Sequence, residues 1–339
     1  MKRGLRIGRL LRALLVIAAA AAILVSGALG WYATARVATA PLPLQFDIKP
    51  GSSLRSAALE LEQAGALRQP EIFVLMARLL GESRNIKAGN YELTEPIAPY
   101  DLLRKIVYGD VTLASVRFVE GWTFRQMRNT LDEHASIAHA TRELTDAEIL
   151  ERLGAKEASP EGLFFPDTYH FATGSGDLAV LRRAHRLMQA QLDTRWAARS
   201  EGLPFGSPYE ALILASIVEK ETGREEDRPL VAAVFVNRLR KGMLLQADPT
   251  VIYGLGEGFD GNLRKRDLLK DAPYNTYTRA GLPPTPIAMP GLASLAATLN
   301  PPASDALYFV SRGDGTSHFS RTLGEHERAV TKYQRSGQR

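Results

Sequence analysis

Apolar and polar positions divide the chain into an uncharged N-terminal stretch and a long body with alternating helix and strand patterns. No charged residue lies between Ala13 and Ala35, and the most apolar part, Ala13 to Trp31, is 19 residues long. About 20 such residues are needed to cross a hydrocarbon core of about 30 Å. The pattern therefore predicts a transmembrane helix over 13–31. A cleaved signal peptide is the alternative, since Ala33-Thr34-Ala35 and Ala38-Thr39-Ala40 have small residues at cleavage-type spacing.

The residues that flank this stretch predict its orientation. Residues 1–12 contain five Lys or Arg residues and no acidic residue, and basic flanks stay on the cytoplasmic side of a membrane. Trp31 and Tyr32 fit the far interface as an aromatic anchor. We therefore predict a single-pass protein of the cell inner (cytoplasmic) membrane. It would have a cytoplasmic tail over 1–12, a linker over 32–43 and a periplasmic, extracytoplasmic body.

Residues 44–113 predict a small α+β module. Leu44 to Ile48 alternates as a half-buried strand does, and Ser52 or Ser53 can cap the helix that follows. Further patterns predict a helix over 70–80, a turn into a strand over 87–93, and a helix over 100–107. A strand, two helices, a strand and a helix in one short segment are typical of an α+β fold.

Residues 114–335 predict a larger α+β domain. The patterns indicate a strand over 114–119 and helices over 124–131, 146–153, 177–199, 211–218 and 228–239. The remainder is predicted to be rich in loops, with loops over 246–254 and 274–290, a helix from Gly291 and a last strand over 307–310. The fold class is therefore α+β, with an N-terminal transmembrane helix in front of two folded parts.

Composition narrows the chemistry available to the body. Five of the 42 basic residues lie within the first twelve positions, so the body is balanced against its 37 acidic residues and lacks the charge of a nucleic-acid-binding protein. Cysteine is absent, and none of the six histidines shows a metal-ligand spacing. His134 and His139 lie in a polar stretch and are expected to be solvated. There is no nucleophile-elbow serine and no phosphate-binding glycine loop. We predict no cofactor and no metal.

Glu219 stands out because it follows one of the most apolar stretches of the chain. Ala211 to Val218 predicts a buried helix, and Glu219 shares a face with Leu212 and Ala215. A carboxyl held against apolar side chains loses hydration, which raises its pKa. A carboxylic acid that is neutral near neutral pH can donate a proton to a glycosidic bond. The alternative is an ordinary charged helix end with Gly223 as its C-terminal cap.

Three segments of the second domain combine polar and aromatic side chains. They are 164–169, 246–254, and 274–277 with the following Gly281-Leu282-Pro283-Pro284. Aromatic rings stack on sugar faces, and Asn, Gln and Asp side chains bind hydroxyl and acetamido groups. The alternative is that these side chains only pack long loops, and that Asp248-Pro249 only starts a turn.

Several of these segments together resemble a known family. The motifs are FVEGWT at 118–123, EGLFFPDTY at 161–169, LASIVEKET at 214–222, VNRL at 236–239, LQADPTVIYG at 245–254, YNTY at 274–277 and GLPP at 281–284. Their sequence and order resemble the MltG (YceG-like) family of membrane-anchored endolytic murein transglycosylases of bacteria. The resemblance extends from about Leu44 to Tyr333. It implies a LysM-like module over 44–113 and a catalytic domain over 114–335.

The resemblance also implies the reaction and the site residues. Glu219 would be the catalytic acid and base that cleaves the β-1,4 bond between N-acetylmuramic acid and N-acetylglucosamine within nascent peptidoglycan strands. The product would carry 1,6-anhydro-N-acetylmuramic acid ends, and the cut would terminate glycan elongation. One carboxylate serves both steps, and no second catalytic carboxylate is evident near Glu219. Gln246, Asp248, Tyr253, Asn275 and Tyr277 match family motif positions and are expected to bind substrate or support the site. Murein synthase complexes are the implied protein partners.

Two alternatives to this function remain open. The first is a two-carboxylate glycoside hydrolase of the cell wall, with Glu219 as the acid and Asp248 or Glu221 as the nucleophile or base. Such a pair would be separated by about 5 Å in a retaining enzyme or about 6.5–9.5 Å in an inverting one. The second is a non-catalytic scaffold that binds the wall through the first module. Glu221 is expected to face a different side of the helix from Glu219.

Overall fold

The computed structural model describes residues 2–36, 41–49, 51–109 and 113–335, with side chains from residue 14 to residue 334. The chain divides into two compact units. The first contains Met1–Ala114 and His170–Ser175, and the second contains Ser115–Tyr169 and Gly176–Arg339. Both mix helices with two-stranded sheets, so the fold is α+β.

The first unit begins with a long apolar helix, α1 (Lys2–Thr34). Its segment Leu14–Thr34 is long and apolar enough to cross a membrane, as either a signal anchor or a signal sequence is. Trp31 is 74% exposed, but Tyr32 is only 7% exposed and its hydroxyl donates to the Gln69 carbonyl oxygen at 3.1 Å. The two expected anchor aromatics therefore differ, because Tyr32 packs into the core of the first unit. The expected linker over 32–43 lies partly outside the described residues.

The remaining elements of the first unit follow the predicted order. They are β1 (Leu44–Ile48), α2 (Leu54–Gln63), α3 (Pro70–Leu79), β2 (Gly89–Leu93) and α4 (Pro99–Tyr108). Strands β1 and β2 pair antiparallel, and the rings of Phe46 and Tyr91 stack across the pair. Ser53 caps α2 by accepting a hydrogen bond from the Ser56 backbone N–H. Gly109 ends α4 with φ 73°, a left-handed conformation that glycine adopts without strain.

Four elements at the start of the second unit also lie close to their predicted positions: β3 (Leu113–Arg117), α5 (Phe124–Asp132), α6 (Asp146–Leu153) and α7 (Asp177–Ala197). Strand β4 (Thr168–Ala172), which pairs with β3, begins at the end of the aromatic segment 164–169. Thr123 and Thr145 each begin a helix through a capping box with the Gln or Glu three residues later.

Three helices form the centre of the second unit: α8 (Pro208–Glu221), α9 (Arg228–Arg240) and α12 (Leu292–Leu299). Every residue of α8 from Ala211 to Val218 is buried, which is why its sequence is apolar on all sides. Ser216 is the one polar residue of that stretch. Its hydroxyl donates to the Ile213 carbonyl oxygen and accepts from the Ile287 N–H, so burial leaves it satisfied.

The prediction of a loop over 246–254 is wrong. Most of it is a helix, α10 (Asp248–Leu255), and a short helix α11 (Lys265–Leu269) follows. In α10 only Thr250 and Val251 are buried, so the apolar stripe is too narrow to show as a helical period. Pro249 lies in the first turn, where its missing N–H costs nothing. The chain ends with β5 (Tyr308–Ser311), β6 (Ser317–Ser320), α13 (Leu323–Val330) and a π-helical turn, Thr331–Arg335.

Candidate active site

Glu219 lies in the last turn of α8, and its side chain is 8% exposed. Its Oε2 accepts a hydrogen bond from the Gly291 backbone N–H at 2.9 Å. Gly291 is the N-cap of α12, so the carboxyl contacts the N-terminal end of a helix. Unpaired N–H groups and the helix dipole stabilise negative charge at that end. The carboxyl therefore leaves the apolar face of its own helix and is held by a polar group.

The end of α8 differs from an ordinary glycine-capped helix end. Thr222, with an extended backbone, is the C-cap, and its N–H donates to the Val218 carbonyl oxygen. The Thr222 hydroxyl donates to the same carbonyl oxygen. Gly223 does not have the left-handed conformation of a glycine cap. The alternative of a solvated turn capped by Gly223 is thus wrong, since the Glu219 side chain is only 8% exposed.

Arg228 on α9 supplies the positive charge nearest to Glu219. Its Nη2 lies 4.0 Å from Glu219 Oε1, and its Nη1 lies 3.7 Å from Oε1 of the exposed Glu225. The side chain of Arg228 is 13% exposed, and its Nε is buried with no hydrogen-bond partner among the described residues. A buried donor without a partner is costly. The guanidinium is therefore held here mainly by its two carboxylate neighbours, Glu219 and Glu225.

Glu120 is a carboxylate near Glu219 that was not among the expected site residues. The chain after Glu120 is fixed by two backbone bonds, from the Gly121 N–H to the Met289 oxygen and from the Met289 N–H to the Trp122 oxygen. The Glu120 carboxyl lies so close to Gly291 that a Cβ on that glycine would be 1.9 Å from Oε1. Burial and the charge of Glu219 raise the pKa of Glu120. Its membership of the FVEGWT motif was the available sequence signal.

Glu221 has different neighbours from Glu219, as expected for two residues apart on a helix. Burial and the nearby Asp248 carboxylate raise the pKa of Glu221 to about 7, against the opposing effects of Arg238 and of a hydrogen bond with the Asp248 backbone. Arg238 itself donates to the carbonyl oxygens of Leu307, Leu244 and Leu245. Glu221 therefore belongs to a second polar cluster at the same helix end.

Three of the expected substrate-binding residues belong to this second cluster. The Tyr277 hydroxyl donates to Asp248 Oδ1 at 2.5 Å. Gln246 has φ 52°, a strained conformation for a residue other than glycine, and its Oε1 accepts from Arg238 Nη1 at 3.4 Å. Gln246 and Asp248 are exposed, so their side chains can meet a ligand.

Asn275 is 2% exposed, and its amide is used within the protein. Its Nδ2 donates to three backbone oxygens, and its Oδ1 accepts from the Tyr277 N–H at 2.9 Å. The three oxygens belong to Asp267, Leu268 and Lys270. Asn275 thus fixes the backbone that presents Tyr277 to Asp248.

Tyr253 lies apart from the other expected binding residues, beside Glu161. Its hydroxyl donates to Glu161 Oε2 at 3.1 Å, and Glu161 Oε1 accepts from the Phe124 N–H at 3.0 Å. Glu161 is 4% exposed, and burial raises its pKa to about 7. Glu161 lies in the EGLFFPDTY motif and Glu120 in the FVEGWT motif, but neither was among the expected site residues. Tyr253 and Glu161 line a cleft of about 810 Å³ that also includes Tyr274 and the start of α5.

One group in the described part of the chain has side chains that could hold a metal ion: Asp132, His139 and Asp177. His139 is only partly exposed, so the expectation that it is solvated is not met. Asp177 is fully buried, but Thr141 already satisfies it through a backbone N–H at 3.0 Å and a hydroxyl at 2.7 Å. These bonds account for the burial of Asp177 at the start of α7, so we assign no metal to the group.

Glu219 is thus a nearly buried carboxyl group at a helix end, bound by a backbone N–H and faced by a guanidinium, and a carboxyl group in such a place can take part in proton transfer. The chain belongs to the YceG-like family, whose model matches residues 46–332. It is 30% identical to the endolytic murein transglycosylase of Bacillus subtilis over 86% of this chain and 84% of that protein. It is 28% identical to the endolytic murein transglycosylase of Streptococcus pneumoniae over 84% of this chain and 57% of that protein.

A solved structure agrees with this family membership. The crystal structure of a yceG-like protein from Listeria monocytogenes is similar to this chain with a TM-score of 0.50 and 29% sequence identity. The similarity covers 84% of this chain and 98% of that one. The expectation from the sequence motifs is therefore confirmed at the level of the family.

Proposed function

We propose that this protein is a membrane-anchored endolytic murein transglycosylase in which Glu219 is the catalytic acid and base. The observation that carries the proposal is the placement of Glu219. It is nearly buried at the end of an apolar helix, yet one oxygen is held by the Gly291 N–H and a guanidinium faces the other. The names of the relatives at about this identity support the substrate class, which is murein.

The proposed reaction needs one carboxyl group and no water. Protonated Glu219 gives its proton to the glycosidic oxygen as the bond from that oxygen to C1 of N-acetylmuramic acid breaks. The resulting carboxylate, stabilised by the Gly291 N–H and Arg228, then takes the proton of the muramyl 6-hydroxyl. The 6-oxygen bonds to C1 and closes the 1,6-anhydro ring. The proton count is balanced, and Glu219 returns to its protonated form.

The remaining expected site residues have separate proposed tasks. Exposed Gln246 and Asp248 would bind the sugar hydroxyl or acetamido groups, and Tyr277 would orient Asp248. Asn275 would act as a positioning residue, because its amide is already used. Tyr253 would line the cleft beside Glu161, which is large enough for a further part of the glycan.

The apolar helix would anchor the body outside the cytoplasmic membrane, where nascent strands are made. Tyr32 supports retention over cleavage. Removal of the helix at Ala35 would take this buried side chain out of the core of the first unit. The proposed place in the cell also suits the murein synthase complexes that the family resemblance implies as partners. The cut would end the elongation of a strand.

The test is a comparison of the full-length protein with its Glu219→Gln variant on uncross-linked murein strands. Mass spectrometry should find new 1,6-anhydromuramyl ends with the unaltered protein and none with the variant. Glu221→Gln is the matched control, since it makes the same change two residues along the same helix. New reducing ends in place of anhydro ends would sink the transglycosylase proposal.

The proximity of Glu120 to Glu219 favours a second candidate, a two-carboxylate glycoside hydrolase. Asp248 and Glu221, the two partners that the sequence offered for this alternative, both belong to the second cluster. A hydrolase adds water to C1, whereas a transglycosylase does not. Digestion in water enriched in oxygen-18 separates the two, because only hydrolysis incorporates the label into the new end.

A further inference from the structure

We propose that Glu161 is a positioning residue that holds the start of α5 and the ring of Tyr253 as two walls of a cleft, and that this cleft binds the sugars next to the bond cleaved at Glu219. The inference rests on the proposed function and deepens it, because it assigns a task to a buried carboxyl group that the reaction does not use. Glu161 acts through the walls that it joins and takes no part in breaking the bond. All of these residues belong to the second unit.

Both carboxyl oxygens of Glu161 are used, each by a different wall. Oε1 accepts from the N–H of Phe124, the first residue of α5, at 3.0 Å, and Oε2 accepts from the hydroxyl of Tyr253 on α10 at 3.1 Å. Glu161 is 4% exposed, so water competes little for these bonds. The next residue, Gly162, packs so closely against Pro286 that a Cβ on the glycine would lie 2.4 Å from the proline Cβ. Glu161 is therefore a fixed point between two helices that are far apart in the sequence.

The cleft between these walls has the lining that a glycan needs. Its volume is about 810 Å³, which is within the range of ligand sites, about 300–1,000 Å³. The amide side chains of Gln126 and Asn129 on α5 line it together with Tyr253 and Tyr274, whose rings meet edge to face with centroids 4.9 Å apart. Rings pack against sugar faces, and amides bind hydroxyl and acetamido groups.

The charged side chains of the cleft favour an uncharged ligand. Among the described residues that line it, each Arg has an acidic partner, and Asp132 has a basic one. The pairs are Arg125 with Glu257 at 2.6 Å, Arg128 with Asp146 at 3.0 Å and Asp132 with Arg142 at 3.7 Å. A peptide stem that carries carboxylates would have to displace one of these pairs, whereas a sugar chain would not. The cleft therefore fits the glycan better than the peptide part of murein.

The loop 120–123 connects the cleft to Glu219. A Cβ on Gly121 would lie 3.8 Å from Glu219 Cγ, so this loop rests against the proposed catalytic side chain. Thr123, two residues later, caps α5 and lines the cleft, and two residues span at most about 7 Å. A strand whose scissile bond lies at Glu219 therefore reaches the cleft with its neighbouring sugars. Glu161 fixes the α5 end of this loop through the Phe124 N–H.

Loss of the two bonds should weaken the binding of long strands and leave the cleavage step intact. A long strand uses both the Glu219 site and the cleft, whereas the shortest cleavable oligosaccharide uses mainly the Glu219 site. The expected result is a rise in KM for long strands with little change in kcat. A residue that only stabilised the fold would affect substrates of every length equally.

The experiment compares the full-length protein on uncross-linked murein strands and on the shortest murein oligosaccharide that it cleaves, with anhydro-ended products as the readout. In Glu161→Leu, which removes both acceptors, KM for long strands should rise about tenfold, and kcat should change by less than about threefold on either substrate. Tyr253→Phe loses one of the two bonds and keeps the ring, so KM for long strands should rise about threefold. Tyr253→Phe also gives the answer if Glu161→Leu does not fold.

Three further variants make the pattern specific. Glu161→Gln can keep both bonds, because its amide oxygen accepts from the Phe124 N–H and its amide nitrogen donates to the Tyr253 hydroxyl, so KM should stay within about twofold. Asn129→Trp places an indole in the cleft without removing either bond, and should reproduce the loss for long strands. Thr322→Ala removes the N-cap of α13, outside the cleft, and should lower Tm without changing the ratio of the two KM values.

A folded Glu161→Leu or Tyr253→Phe protein that is impaired equally on long and short substrates overturns the inference. So does a Glu161→Gln protein as impaired as Glu161→Leu, because the two bonds would then not be the cause. Binding of both substrates to Glu219→Gln measures the length dependence without turnover; adding Glu161→Leu should lower the affinity for long strands about tenfold and leave that for the short one within about twofold. If Glu219→Gln still produces anhydro ends, the proposed function fails instead, so the two failures are distinguishable.

Discussion

Glu219 and Glu221 lie at the same helix end, but the fold gives their carboxyl groups different neighbours. Each has a carboxylate neighbour and an arginine: Glu120 and Arg228 for the first, Asp248 and Arg238 for the second. Arg238 donates from Nε and Nη1 to backbone oxygens, whereas Arg228 has a buried Nε without a partner among the described residues. The arginine of the Glu221 cluster is thus held by backbone oxygens, whereas the arginine of the Glu219 cluster faces the carboxylates of Glu219 and Glu225.

The largest difference expected between these two carboxyl groups is in their effect on catalysis. Glu219→Gln keeps the shape of the side chain but removes the titrating proton, so kcat should fall by about 10³-fold or more. Glu221→Gln should reduce kcat by less than about tenfold, because its carboxyl does not reach the same partners. Steady-state release of anhydro-ended fragments measures both. Equal losses in the two folded variants would show that the clusters act as one site.

The next effect concerns the support of the Glu221 cluster. Asn275→Ala removes three hydrogen bonds to backbone oxygens and one from the Tyr277 N–H, all in a buried place. The free energy of unfolding should fall by about 3 kcal/mol, since buried groups lose their partners. Chemical denaturation measures this loss. The bond cleaved and the type of end should be unchanged in the protein that remains folded.

The sequence predicted the second unit well where a helix buries a wide apolar face. The pattern over 211–218 lies within α8, and the pattern from Asp177 matches the start of α7. It failed at α10, where only two residues are buried and an Asp-Pro pair is typical of a turn. Short helices of this kind are fixed by their surroundings, as the bond between the Ala247 N–H and the Thr276 hydroxyl illustrates.

The candidate site was predictable only in part for a similar reason. The surroundings of Glu219 along its own helix are local, so its burial could be inferred from Leu212 and Ala215. The approach of Glu120 depends on backbone bonds to Met289, more than 160 residues away in the sequence. No periodicity encodes such a contact. The contact also needs the absence of a side chain at Gly291, and a single sequence does not indicate why that position is a glycine.

A smaller effect should appear in the pH dependence of stability. The pKa of Glu221 is raised to about 7 in the folded protein, so folding favours its neutral form. Its contribution to stability is complete below its ordinary pKa of 4.5 and is lost as the pH rises through about 7. Across that window, the stability of the unaltered protein should fall by about 2 kcal/mol more than that of Glu221→Gln. Parallel stability curves for the two proteins would contradict the assignment.

The smallest effect should come from the hydroxyl of Tyr277. Tyr277→Phe removes its bond to Asp248 Oδ1 and leaves the ring in place. Asp248 is exposed, so water can replace the lost donor, and stability should fall by only about 1 kcal/mol. If Asp248 binds the glycan, its looser orientation should raise KM severalfold and leave kcat nearly unchanged. A fall in kcat at constant KM would instead connect this cluster to the chemistry at Glu219 and remove the distinction between the two carboxyl groups.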